Sequence, residues 1–174
     1  MRNHFAKLYS KQIKPPKFSD QEENQEERCR VLVEESDSVK RGAITRLLND
    51  AGFEAIGCGG PKEHPGKRCP LDGGNGCDAA AGTDVIFFSF HMADPESRKI
   101  LKDLKRLHPK TPIVVEIPKP QAMGHHGLLV GTHIAYAPVT RRSLTEAIMD
   151  ALVAPDPIMA TLRKKKELIL EGKG

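Results

Sequence analysis

Tryptophan is absent from the 174 residues, and aromatic side chains make up only 5% of them. The basic run Arg163 to Lys166 therefore has no aromatic neighbour on which bases would stack, which counts against nucleic-acid binding. Also missing is any run of about 18 apolar residues, so no segment reads as a membrane span. The opening MRNHFAKLYSKQIKPPKF lacks the apolar centre and small-residue cleavage site of a secretory leader, and the expected location is the cytoplasm. Cysteine is sparse: Cys29, Cys58, Cys69 and Cys77 are too few and too unevenly spaced for the disulfide framework of a small secreted domain. No GK[ST] or GxGxxG follows a strand, which removes the usual nucleotide fingerprints. Charge of one sign is not in large excess either, since 27 basic against 23 acidic residues leave only +4.

What is present divides the chain in three. Residues 1–28 are polar, with an acidic run DQEENQEE, and bury too little apolar surface to offset their ordering entropy; a disordered arm is expected. Residues 29–154 alternate apolar runs with amphipathic stretches. RVLVEE, FEAIGC, DVIFFSF, PIVVEI and THIAYAPV read as strands. DSVKRGAITRLLNDAGF places Val39, Ala43, Ile44, Leu47, Leu48 and Ala51 at helical spacing behind Asp37 or Ser38 as cap. DPESRKILKDLKRLHP does the same behind Asp94-Pro95, and TRRSLTEAIMDALV behind Thr140. Strands apolar throughout, joined by one-sided helices, predict a doubly wound α/β domain with a parallel sheet covered on both faces. Two connections break the pattern: the Gly/Pro-rich segment from Cys58 to Gly82 stands where a second helix belongs, and PKPQAMGHHGLLVG holds at most one short helix. Residues 155–174 are expected to form a basic C-terminal helix whose apolar side, with Met159, Leu162 and Ile169, would need cover from the domain or from a second copy.

Taken in order, RVLVEES, LLNDAGFEAI, DVIFFSFHM, TPIVVEI and the Ala137-Pro138 pair resemble the receiver domain of two-component response regulators. The resemblance implies a flavodoxin-like sheet of order 2-1-3-4-5 and a site at the carboxyl ends of the strands. An active receiver has an acidic pair after its first strand, a phosphoacceptor aspartate after the third, a Ser or Thr after the fourth and a lysine after the fifth. The acids hold Mg²⁺ and the aspartate is the nucleophile. The matching positions here are Glu35 and Ser36, flanked by Glu34 and Asp37, then Ser89, Ile117 and Ala137. The resemblance therefore implies a pseudo-receiver that has lost phosphoryl transfer, is not an enzyme, and signals by binding a protein partner. His91 borders the same pocket and has no partner identifiable from the sequence.

The second informative feature is Cys58-x10-Cys69-x7-Cys77 with His64 between the first two. Three thiols and an imidazole match a tetrahedral zinc site in ligand count, whereas the spacing lacks the usual tight pairs. Zinc, a reversible disulfide or redox role, and a merely structural loop all remain open at this point. The resemblance to receiver domains implies a partner surface on the fourth strand, the segment after it and the last regular helix, around His125 to Gly127 and Arg141-Arg142. A homodimer is one arrangement this allows.

Overall fold

The computed structural model describes residues 28–63, 69–91 and 93–153. The N-terminal arm, His64 and the C-terminal basic helix lie outside these residues. In chain order the elements are β1 (Arg30–Glu34), α1 (Ser38–Asn49), β2 (Glu54–Cys58), α2 (Asp78–Ala81), β3 (Val85–Ser89), α3 (Pro95–Leu107), β4 (Ile113–Pro118), α4 (Lys119–Ala122), α5 (His126–Leu129), β5 (His133–Ala137) and α6 (Arg141–Val153). The five strands make one parallel sheet in the order β2-β1-β3-β4-β5, as expected.

Alternate residues of a strand point to opposite faces. Val31, Val33, Val85, Phe87 and Val114 therefore meet Ile44 and Leu48 of α1 and Leu144 and Ile148 of α6. On the other face, Leu32, Ile86, Phe88, Val115 and Ile117 meet Ile100, Leu101 and Leu104 of α3. With both faces covered, every position of β3 is buried, and this is why the strands read as unbroken apolar runs.

The caps act where the sequence places them. Asp37 Oδ1 accepts from Lys40 N at 2.7 Å, Asp94 Oδ1 from Glu96 N at 3.0 Å, and Thr140 Oγ1 from Ser143 N at 3.2 Å. Each satisfies an amide that a helix N-terminus leaves without a partner. The apolar stripe of α1 is narrower than its spacing predicts: Ile44 and Leu48 are buried, but Val39 is 81% exposed. Val39 lies in the first turn, at the rim of the sheet, where the strands no longer provide a surface to pack on.

The connection from β2 to β3 has little regular structure. Two 3₁₀ turns (Gly60–Glu63 and Pro70–Gly73) and the four-residue α2 replace a full helix. Leu71 and Ala80 supply its buried contacts to the α3 side of the core. The connection from β4 to β5 holds more helix than expected, with α4, a 3₁₀ turn at Met123–His125 and α5. Gly124 and Gly127 weaken this stretch as one continuous helix, and Leu129 anchors its end in the core.

Candidate functional site at the carboxyl rim

β1 delivers two adjacent carboxyls to the rim, and they face different surroundings. Glu35, just past the strand, has no exposed surface. Its Oε1 accepts from the Asp37 amide at 2.8 Å and lies 2.7 Å from His91 Nε2. Ser36 Oγ adds only a long contact of 3.5 Å to the same oxygen. Its Oε2 stands 2.9 Å from Lys40 Nζ, an ion pair whose angles fall short of a hydrogen bond. Burial alone would push the Glu35 carboxyl up. The Asp37 amide, the Lys40 ammonium and the His91 ring outweigh it and hold the pKa at about 2.

Glu34 points to the other side of β1, toward Gly59, Asp94 and Glu96 in a narrow cleft that Ser36 and His91 also border. Burial, reinforced by the charge of Glu35, raises its pKa to about 8. One carboxyl is thus neutral and its neighbour ionised at neutral pH, the outcome expected when two acids share a small volume in unlike environments.

Ser89 closes β3 with 1% of its surface exposed. Its Oγ donates to Glu116 Oε2 at 2.8 Å, which gives the hydroxyl a carboxylate neighbour. The same Glu116 oxygen lies 2.7 Å from Lys40 Nζ. The Lys40 ammonium, on the first turn of α1, therefore bridges two buried carboxylates contributed by β1 and β4. Burial works against its charge, but Glu116 and Glu35 raise its pKa above the ordinary lysine value.

Of the positions expected at the rim, Glu35, Ser89 and His91 come together there. His91 is not without a partner: its ring meets Glu35, and its backbone N–H donates to Ser97 Oγ at 3.1 Å. Asp37 caps α1 and lends its amide to Glu35. Ile117 corrects the sequence reading. Its side chain is fully buried in the α3-side cluster, and Glu116, one residue earlier and paired with Ser89 across the ladder, is the rim residue of β4. Ala137 ends β5 beside Pro118, followed by a cis bond to Pro138. Lys40 and Glu116 escaped the sequence reading. Arg41 did too: its Nη1 donates to the Glu35 carbonyl at 2.6 Å and its guanidinium pairs with Glu63 in the first 3₁₀ turn, fastening the loop to the rim.

The cysteines are free thiols. Cys58, Cys69 and Cys77 are half-buried and pack on the same apolar cluster as α3. Burial pushes the Cys58 thiol up, against a 3.4 Å bond from the Gly60 amide, and Glu34, Cys77 and Cys69 push it the same way as burial. Cys77 N donates to His108 Nε2 at 3.1 Å, tying the loop to the end of α3. Among the described residues, no three His, Cys, Asp or Glu side chains gather closely enough to hold a metal.

A five-stranded sheet of this order with an acidic, serine-floored rim can be set beside solved structures. The described domain resembles the response-regulator receiver domain protein of Clostridium thermocellum at 19% identity and a TM-score of 0.57, over 73% of this chain and 96% of that one. The domain has the receiver fold. The chemotaxis protein CheY4 of Vibrio cholerae matches at 17% identity and a TM-score of 0.52, over 70% of this chain and 97% of that one. A receiver protein of Sinorhizobium medicae matches at 16% and 0.54, over 74% and 97%. No family profile and no curated protein sequence matches the chain. Among the described residues of this receiver fold, no helix is long and apolar enough to cross a membrane.

Proposed function

We propose that this receiver fold is a signalling module that takes no phosphoryl group and acts by binding a protein partner. The observation that carries the reading is Lys40 held between Glu35 and Glu116 above a Ser89 hydroxyl that is 1% exposed. An incoming phosphoryl group would meet two carboxylates and one ammonium already paired with both. It would find no carboxylate nucleophile free to form an acyl phosphate. The lysine also stands where a divalent cation would need those same oxygens, so cation binding would have to displace it. Incubation with acetyl phosphate and Mg²⁺ followed by intact-mass analysis tests this. The mass stays unchanged on the reading above, and a gain of one phosphoryl group in the β3 or β4 rim contradicts it.

The partner surface follows from what the β4–β5–α6 side leaves uncovered. Met123 is 89% exposed, Tyr136 50% and Met149 48%. The Lys119 ammonium lies 5.7 Å from the centre of the Tyr136 ring. Exposed methionine and aromatic side chains rimmed by charge suit a protein interface, and a second copy of the chain is one partner that would fit. Arg141 is partly engaged, donating to the Asp50 carbonyl, and Arg142 pairs with Glu146, so Tyr136 and Met123 are the better residues to change.

A second reading makes the cysteine loop a sensor of oxidant or metal. Its support is that Cys58, Cys69 and Cys77, distant in sequence, pack on one apolar cluster as reduced thiols. Oxidation would alter how the loop packs on the α3 side, where Leu71 and Ala80 are its buried contacts. Thiol titration before and after mild oxidant, together with elemental analysis for zinc, tests it; three unreactive thiols and no zinc end it.

A further inference from the structure

α3 bears Arg98, Lys102, Lys105 and Arg106 along one side, at the i, i+4, i+7, i+8 spacing that aligns side chains on a helix face. They form one wall of an open groove of about 720 Å³, whose far wall is the β4–β5 crossover at Gly124, His125 and Gly127. At 1.5 Å per residue the cationic stripe is about 12 Å long. Lys105 is partly occupied, its Nζ donating to the Leu128 carbonyl at 2.9 Å and to that of Val130. Arg106 meets Asp103 at 3.1 Å. Among the described residues lining the groove none is an acid, so Lys102, Lys105 and Arg106 keep the wall positive.

Three features of the groove select the occupant. The cations are spread along a line rather than converging on a point, which suits charges strung along a chain better than a single small anion. Among the described residues lining the groove the one aromatic ring is that of His125, already edge-on against Phe90 at 5.5 Å, so successive bases have no run of platforms to stack on, which disfavours single-stranded nucleic acid. Opposite the cations stand two glycines where even an added Cβ would meet nothing within 4 Å, so a backbone has room to lie close to that wall.

We propose that the α3 groove docks an acidic peptide segment of a partner protein, with at least three carboxylates along its length. The proposal does not depend on the state of the rim. Steering by such a stripe raises the association rate and weakens with salt.

The test uses the full chain and a fluorescein-labelled peptide of alternating Glu and Gly, read by fluorescence anisotropy at low salt. Binding is expected to weaken at least about tenfold in a Lys102→Glu/Arg106→Glu double variant, a change of about 1.4 kcal/mol. It should weaken also as salt is raised to shrink the Debye length from about 10 to 3 Å. Circular dichroism checks that the variant is folded, and Lys102→Gln with Arg106→Gln gives a milder pair with the same expected direction. Equal binding by wild type and both pairs overturns the proposal. So does a random oligonucleotide that binds more tightly than the peptide. Neutralising Asp20, Glu22, Glu23, Glu26 and Glu27 to their amides separates the sources: a tenfold gain in peptide affinity would make this chain's own acidic run the occupant and overturn the assignment to a partner.

Discussion

The carboxyl rim and the α3 groove are both charged, yet they dispose of charge in opposite ways. At the rim, Glu35 and Glu116 are buried, and a single ammonium touches both. Along α3, basic side chains line a solvent-open wall that holds no acid among its described lining residues. Buried charge must find its partner within the chain or it destabilises the fold, whereas exposed charge costs little and is left over for other molecules. The rim accordingly reads as structure and the groove as surface for recognition, which reverses the roles suggested by position in the sheet alone.

The contrast breaks most visibly at the lysines. Lys40→Met removes the shared counter-charge of two buried carboxylates and, with the ammonium itself 41% exposed and partly screened, should cost roughly 2–3 kcal/mol in urea denaturation. Lys102→Met on the exposed side of α3 should stay within about 0.5 kcal/mol of wild type. Equal costs at the two sites would erase the distinction.

The pH dependence of the melting temperature sharpens it next. Glu35, held at about 2, is more readily ionised in the folded chain than at its ordinary 4.5. It therefore contributes stability above pH 4.5, about 3 kcal/mol, that is lost as the pH falls from 4.5 toward 2. Glu34, raised to about 8, is protonated when folded and ionised when unfolded. Stability is lost through it as the pH climbs from 4.5 through 8. Glu34→Gln should flatten that alkaline slope and leave the acid limb unchanged.

A smaller effect is expected where the loop meets the rim. Gly60 has φ +68°, and a Cβ there would stand 2.9 Å from Glu34 Oε1. Gly60→Ala should cost about 2 kcal/mol, from the left-handed backbone and the crowded carboxyl together. His91→Ala should cost less than about 1 kcal/mol, because the ring is 40% exposed and its bond to Glu35 is screened by water. Thermal melts of the two variants side by side rank the effects.

Much of the fold was legible because both sheet faces are covered: DVIFFSF and PIVVEI had no polar alternation to confuse with a surface strand. The caps at Asp37, Asp94 and Thr140 were legible because short polar side chains before an amphipathic run have one common use. The location of the site followed from the order of the elements, and Glu35 and Ser89 stand where that order placed them. Glu116 was missed for a reason of register. Which residue of β4 faces the rim depends on the Ser89↔Glu116 pairing, and a one-residue slip exchanges a core side chain for a rim one. Lys40 was missed because a lysine in the first turn of a helix looks solvated. Only the folded geometry shows its four-carbon stem laid over the strand ends. The β4–β5 crossover was underestimated because Pro and Gly mark breaks in a helix but do not forbid short pieces between them.

The most direct measurement is a double-mutant cycle on Lys40 and Glu116, with Lys40→Met, Glu116→Gln and the pair compared by denaturant unfolding at pH 7. The ammonium bridge predicts a coupling of at least about 1.5 kcal/mol, with Glu116→Gln recovering part of the stability lost in Lys40→Met. Losses that simply add, to within about 0.5 kcal/mol, would mean that Lys40 does not neutralise the rim.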